Sequence, residues 1–234
     1  MTSFMQSGNR KLLKEWEICV RVIVLASQKG GSGKTTLAGH LAAEALRRGD
    51  PGSVVMMDTD PQASLTGWWA ARSDDLPPLP AMVRVLPEGL AATLAKVRKA
   101  GIGLVVIDTP PAITASITDT CKQADIVVVP VKPSPHDLRA VGATVDIVER
   151  SRKPMAFVIN QMTQRAKITM QAVVALSQHG TVASPMIAHR VDFQTSMTDG
   201  RTASELDPDS KSANEIAQLW DYITSRMERN DSHG

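Results

Sequence analysis

Residues 22–36 read Val-Ile-Val-Leu-Ala-Ser-Gln-Lys-Gly-Gly-Ser-Gly-Lys-Thr-Thr. An apolar run enters a glycine-rich turn, and the turn enters Lys34-Thr35-Thr36. The pattern predicts a buried strand over residues 22–25. It also predicts a helix over residues 35–48 with Leu37, Leu41, Ala45 and Leu46 on one face. A glycine-rich turn between a strand and a helix is a phosphate cradle. Backbone N–H groups at the helix start point inward, and the helix dipole favours negative charge there. Gly30, Gly31 and Gly33 permit positive φ and a close approach of the backbone to an anion. Lys34 is placed to reach the terminal phosphates, and the Thr35 hydroxyl to ligate Mg²⁺.

Working outward, three further strands are expected to end in polar residues. Ser-Val-Val-Met-Met-Asp, residues 53–58, runs into Asp58-Thr59-Asp60-Pro61-Gln62. Open α/β sheets place their ligands at the carboxyl ends of strands, which is where these two carboxylates fall. Gly-Leu-Val-Val-Ile-Asp, residues 103–108, is an apolar strand closed by Asp108, a carboxylate suited to holding Mg²⁺ through water. Met-Ala-Phe-Val-Ile-Asn, residues 155–160, ends in Asn160, either a turn former or an amide offering both a donor and an acceptor to a base. Another buried strand, residues 126–131, leads into Ser134-Pro135, a cap and first residue for a helix running to about Arg150. Adjacent Trp68 and Trp69 cannot share one helix face, so one is expected inside and the other partly exposed. A last strand is expected over residues 182–188, and a closing amphipathic helix carries Ile216, Leu219, Trp220 and Ile223.

The composition narrows the class. The 234 residues suit one large α/β domain, and 43% hydrophobic content supplies a core built from aliphatics rather than aromatics. Two cysteines, Cys19 and Cys121, make no disulfide framework and no metal-binding pair, which fits a reducing cytoplasm. No apolar run reaches the length of a membrane span, and the C-terminus has mixed charge unlike a basic membrane anchor. The net charge of +2 is low for a protein that grips DNA alone. Residues 1–20 read as an extension: polar to Asn9, then a basic-to-acidic stretch from Arg10 to Glu17 too short for a stable isolated helix.

Lys29 comes just before the glycines, and position 28 is Gln rather than the glycine that opens the common phosphate loop. This Lys-Gly-Gly-Ser-Gly-Lys-Thr-Thr string, with the Asp58–Gln62 segment, the Asp108 strand and Asn160, resembles the ParA/MinD family of ATPases, with its deviant Walker A loop. The resemblance covers roughly residues 21–225 and is nearest the small ParA forms that lack an N-terminal helix-turn-helix. It implies a single-domain P-loop NTPase with a twisted, mainly parallel sheet and helices on both faces. It also implies ATP and Mg²⁺ as cofactors. Residues 29–36 (Lys29, Gly30, Gly31, Ser32, Gly33, Lys34, Thr35 and Thr36) and Asn160 would bind ATP. Thr35, Asp58 and Asp108 would hold the metal, and Asp60 would activate the attacking water. Lys29 would reach a partner copy's phosphates in an ATP-bound sandwich homodimer. The same resemblance implies non-specific DNA binding, stimulation by a ParB-like or ribbon-helix-helix protein, and a cytoplasmic, nucleoid-associated location. Cargo other than DNA is the alternative. Arg190, Arg201, Lys211, Arg226 and Arg229 are the candidate DNA contacts, although the chain carries ten Lys/Arg against nine Asp/Glu from residue 150 onward.

Overall fold

The computed structural model describes residues 20–49, 53–112, 114–163 and 166–231. The expectations for Arg10–Glu17 and Cys19 lie outside the described residues. Strand β1 (Arg21–Leu25) leads through the glycine turn to helix α1 (Lys34–Arg48). Then follow β2 (Val54–Asp58), α2 (Ser64–Ala70) and β3 (Ala81–Arg84). A 3₁₀ turn at Pro87–Gly89 precedes α3 (Leu90–Lys99), and β4 (Leu104–Asp108) leads to α4 (Ala115–Lys122). Next come β5 (Ile126–Val131), α5 (Pro135–Ser151), β6 (Met155–Ile159), α6 (Lys167–Ser177) and β7 (Thr181–Val182). Short helices α7 (Val191–Ser196) and α8 (Ala203–Leu206) precede the long α9 (Lys211–Asp231).

The seven strands form one sheet in the order β3-β2-β4-β1-β5-β6-β7, and every pairing is parallel. Parallel strands buried on both faces require continuous apolar runs, which β1, β4 and β5 have. Alternate residues of one strand serve opposite layers. Val22 and Val24 pack with Leu94, Ile117, Val145 and Leu176 on one face. Ile23 and Leu25 pack with Leu41, Trp68, Leu219 and Trp220 on the other. Each such side chain, fully buried, contributes roughly 1.5–3 kcal/mol of transfer free energy.

Two local expectations hold at atomic detail. Ser134 Oγ accepts the Asp137 N–H at 3.1 Å and caps α5. Trp68 is buried at 3% exposure, whereas Trp69 is 38% exposed with its indole N–H on Pro80 O. The expected strand over 182–188 is corrected. β7 holds only Thr181 and Val182, and pairing resumes as a single bridge between Met162 and Ala188. Pro185 has no N–H for a ladder bond, and it interrupts the strand. Cys121 is a buried core thiol whose pKa burial pushes up to about 12.

Candidate functional site

The site lies where β1, β2, β4, β5 and β6 release the chain. At the end of β1, Gly31 has φ 70° and Gly33 has φ 98°, conformations that L side chains resist. Gly33 precedes α1 without a side-chain cap, and no acidic residue occupies the first turn. The first N–H groups of α1 therefore keep their affinity for an anion. Lys34 is buried at 6% exposure. Burial lowers its pKa, against the opposing pull of Asp108 and Asp60.

Two carboxylates that share a register, Asp58 and Asp108, pair across β2 and β4. Their surroundings differ. Asp58 is saturated by protein donors: Asp60 N–H at 3.0 Å on Oδ1, and Thr66 N–H and hydroxyl, both at 2.9 Å, on Oδ2. Asp108 accepts the Thr35 hydroxyl at 2.6 Å on Oδ2, but its buried Oδ1 has no hydrogen-bond partner among the described residues. Burial raises the Asp108 pKa to about 7, opposed by the Thr35 hydrogen bond and Lys34 and reinforced by Asp58 and Asp60. A buried oxygen with no donor and a hydroxyl beside it form a donor set for a hard divalent cation. Ser32 Oγ, also buried, is a second orphan within the cradle. Asp60 accepts Gln62 N–H on Oδ1 at 2.9 Å, and no donor among the described residues meets its Oδ2.

On the other flank, Asn160 is 4% exposed and its amide nitrogen donates to Ser32 O at 2.7 Å. Gln161, in the left-handed region at φ 54°, donates to Gly31 O at 3.4 Å. The end of β6 thus braces the glycine turn. Beside it a cavity of about 270 Å³ is lined by Thr36, Leu37, Asn160, His189, Phe193 and Gln194, among others. It adjoins the start of α1 through Thr36 and Leu37 and has a mixed polar and apolar lining.

Lys29 is exposed beside α5, near Asp137, Val141 and Thr144, and forms no ion pair among the described residues. The five basic DNA candidates differ in their surroundings. Arg190 is held by Glu215 at 2.6 Å and Arg201 by Asp199 at 2.6 Å, while Arg226 donates to Thr181 Oγ1 at 3.3 Å. Lys211 and Arg229 sit near opposite ends of α9, roughly 27 Å apart along a helix rising ~1.5 Å per residue.

Sequence reasoning missed His189, Phe193 and Gln194, which carry no motif and meet Asn160 only in the fold. It also missed His40. This α1 residue donates from Nδ1 to Thr36 O at 2.8 Å, which leaves Nε2 to accept the Ala203 N–H at 3.1 Å and the Ser196 hydroxyl at 3.2 Å. Its ring lies 6.5 Å from Trp68 and 5.3 Å from Phe193. Trp68 Nε1 in turn donates to Ser196 O at 2.9 Å and Arg201 O at 3.2 Å. A polar residue at i+3 of Leu37 on the apolar face was the available signal.

A glycine turn from strand to helix, a threonine–aspartate pair across it and a parallel sheet with helices on both faces define a P-loop nucleotide-binding ATPase fold. Residues 23–203 match the CobQ/CobB/MinD/ParA nucleotide binding domain, and the chain belongs to that family. Among its relatives, maintenance of carboxysome distribution protein A of Halothiobacillus neapolitanus is 29% identical over 86% of this chain and 95% of that protein. The chromosome-partitioning ATPase Soj of Thermus thermophilus is 27% identical over 89% of this chain and 97% of that protein. In fold, the chain is similar to the MinC:MinD cell division protein complex of Aquifex aeolicus, with a TM-score of 0.73, 16% identity, and coverage of 88% of this chain and 96% of that one. No helix among the described residues is long and apolar enough to cross a membrane.

Proposed function

We propose that the chain is a Mg²⁺-dependent ATPase that pairs in its ATP-bound state, binds DNA without sequence preference and positions a cargo until a partner triggers hydrolysis. One observation supports this reading above the rest. Lys29 is exposed and forms no ion pair among the described residues, at the mouth of a phosphate loop whose other lysine, Lys34, is buried within it. A second, exposed lysine there suits the phosphates of a facing copy.

In this reading the N–H groups of residues 30–36 and the Lys34 ammonium bind and neutralise the triphosphate. Asn160 meets the base. Thr35 and Asp108 hold the metal, with Asp58 behind them. Mg²⁺, when bound, neutralises phosphate charge and fixes the oxygens. Asp60 Oδ2 orients a water and takes its proton as the water oxygen bonds to the γ-phosphorus; the bond to the bridging oxygen breaks, and ADP leaves. Phosphoryl transfer depends mostly on such positioning, and a cation supplied across an interface is worth ~10³–10⁵ in rate. Hydrolysis that needs Lys29 from the partner copy is conditional on pairing.

Similarity to Soj supports DNA as cargo, moved with a ParB-like or ribbon-helix-helix partner. Similarity to the carboxysome distribution protein supports a second reading, in which the cargo is a protein body carried over nucleoid DNA. Both readings need the same switch. Size-exclusion mobility of the Asp60→Ala variant is expected to shift from monomer to dimer with Mg·ATP and not with Mg·ADP. An unshifted Asp60→Ala removes the sandwich cycle, and dimerisation and hydrolysis both unchanged after Lys29→Ala remove the role of Lys29 across the interface. DNA retention only with ATP, declining with salt, is the expected second result.

A further inference from the structure

The phosphate loop has one acidic flank and one cationic flank. β4 and β2 bring Asp108 and Asp58 to one side of β1. β5, on the other side, ends in Val131 and releases Lys132. A Cβ placed on Gly31 would lie 3.8 Å from Lys132 Nζ, so the ammonium rests against the glycine turn itself. Lys132 is half-buried and forms no ion pair or hydrogen bond from its side chain among the described residues. Its backbone is stiff. Pro130 and Pro133 flank it closely, Ser134 N–H donates to Lys132 O at 2.8 Å, and Asn160 N–H donates to Val131 O at 2.9 Å. Arg and Lys side chains with no counter-ion normally relax into solvent; this one is held beside a loop that already carries Lys29 and Lys34. Like charges so placed oppose one another unless an anion joins them.

We infer that Lys132 is a third phosphate-directed cation, which binds the polyphosphate of the nucleotide held by its own copy's loop. The inference rests on the nucleotide reading above and adds a residue outside the loop motif. Lys34 approaches the polyphosphate from the helix, and Lys132 approaches from β5, opposite the Asp108 and Asp58 flank. The divalent cation and the phosphates then each meet the flank of opposite charge. Because Lys132 is two residues before the Ser134 cap of α5, nucleotide occupancy also anchors the start of that helix.

Mg·ADP binding tests the inference without requiring a second copy. Calorimetric titration should show Lys132→Gln weakening Mg·ADP by about tenfold or more, the loss expected for one charge-assisted contact. It should also lower the salt dependence of the binding constant, while Lys132→Arg keeps most of the affinity. Lys99→Gln, an exposed lysine of α3, is expected to bind as the unaltered chain does. Without nucleotide, Lys132→Gln should melt at the same or a higher temperature, since it removes an uncompensated charge. Unchanged Mg·ADP affinity in Lys132→Gln overturns the inference while leaving the ATPase reading intact. Weakened affinity with a lowered nucleotide-free melting temperature also overturns it, by showing a structural role. Absence of Mg·ADP binding by the unaltered chain overturns the nucleotide reading and this inference together.

Discussion

Gly33→Ala tests how tightly the glycine turn and β6 are fitted to one another. A Cβ at position 33 would stand 2.1 Å from Asn160 Nδ2, far inside contact distance. Asn160 is buried, so its amide can yield only by abandoning its 2.7 Å bond to Ser32 O. Breaking that bond and leaving its partner buried costs about 1–3 kcal/mol. Holding alanine at φ 98° adds about 1–2 kcal/mol. The sum is ~2–5 kcal/mol, or roughly 5–15 °C in Tm for a chain of this size. Urea unfolding of a double-mutant cycle with Asn160→Ala separates the two parts. With the Asn160 amide already gone, Gly33→Ala should cost only the backbone share, giving a coupling of ~1–3 kcal/mol. Additivity of the two substitutions within ~0.5 kcal/mol would refute the clash as the cause.

Gly142 lies inside α5 with nothing within 4 Å of its Cβ direction, so Gly142→Ala should stabilise by about 0.5–1 kcal/mol. Gly200→Ala should destabilise by ~2–4 kcal/mol, because φ is 75° and the Arg72 backbone lies 2.7 Å from the new carbon. Equal signs for the two in denaturant melts would contradict the geometry. Burial lowers the His40 pKa to about 4, so the folded state keeps it neutral while the unfolded chain protonates near its ordinary value of 6.5. Its contribution is complete above pH 6.5 and is lost as pH falls toward 4, on the order of 3 kcal/mol. A His40→Gln variant should flatten the urea midpoint across that window, and an unchanged slope would assign the pH effect elsewhere. Asp108→Asn should raise nucleotide-free stability, by a few kcal/mol at most, and abolish the Mg²⁺ dependence of ATP binding. Thermal melts with and without Mg·ATP read both effects.

The sheet and the phosphate loop were legible because each signal is local. Apolar runs such as residues 104–107 leave no alternative to a buried parallel strand, and the polar residue that closes each run marks the ligand edge of the sheet. Helix α5 was equally plain from Ser134-Pro135. Legibility fails where partners come from distant elements. His40 reads as an ordinary helix position until α7 and α8 fold over it, and the cavity beside the glycine turn joins Thr36, Asn160 and Phe193 across more than 150 residues of chain. The strand expected over 182–188 failed because the apolar pattern outlasted the hydrogen-bonding capacity that Pro185 interrupts. The charges of Arg190 and Arg201 were legible, but not their ion pairs with Glu215 and Asp199.

The strand order also governs how the chain is made. β1 is synthesised before the other described strands, yet its sheet neighbours are β4 and β5, and β2 pairs with β3 and β4 rather than with β1. Val22, Ile23, Val24 and Leu25 therefore remain without sheet partners until residues 104–108 and 126–131 have been synthesised. A nascent chain that ends before residue 104 can cover one face of this apolar segment with α1 but leaves both strand edges open, at synthesis rates of ~5–20 residues per second. For those seconds the future phosphate loop hangs from an unpaired strand edge, the kind of surface that chaperones capture and aggregates recruit. The strand that gives the site its central position thus waits for two later strands before both of its edges are covered.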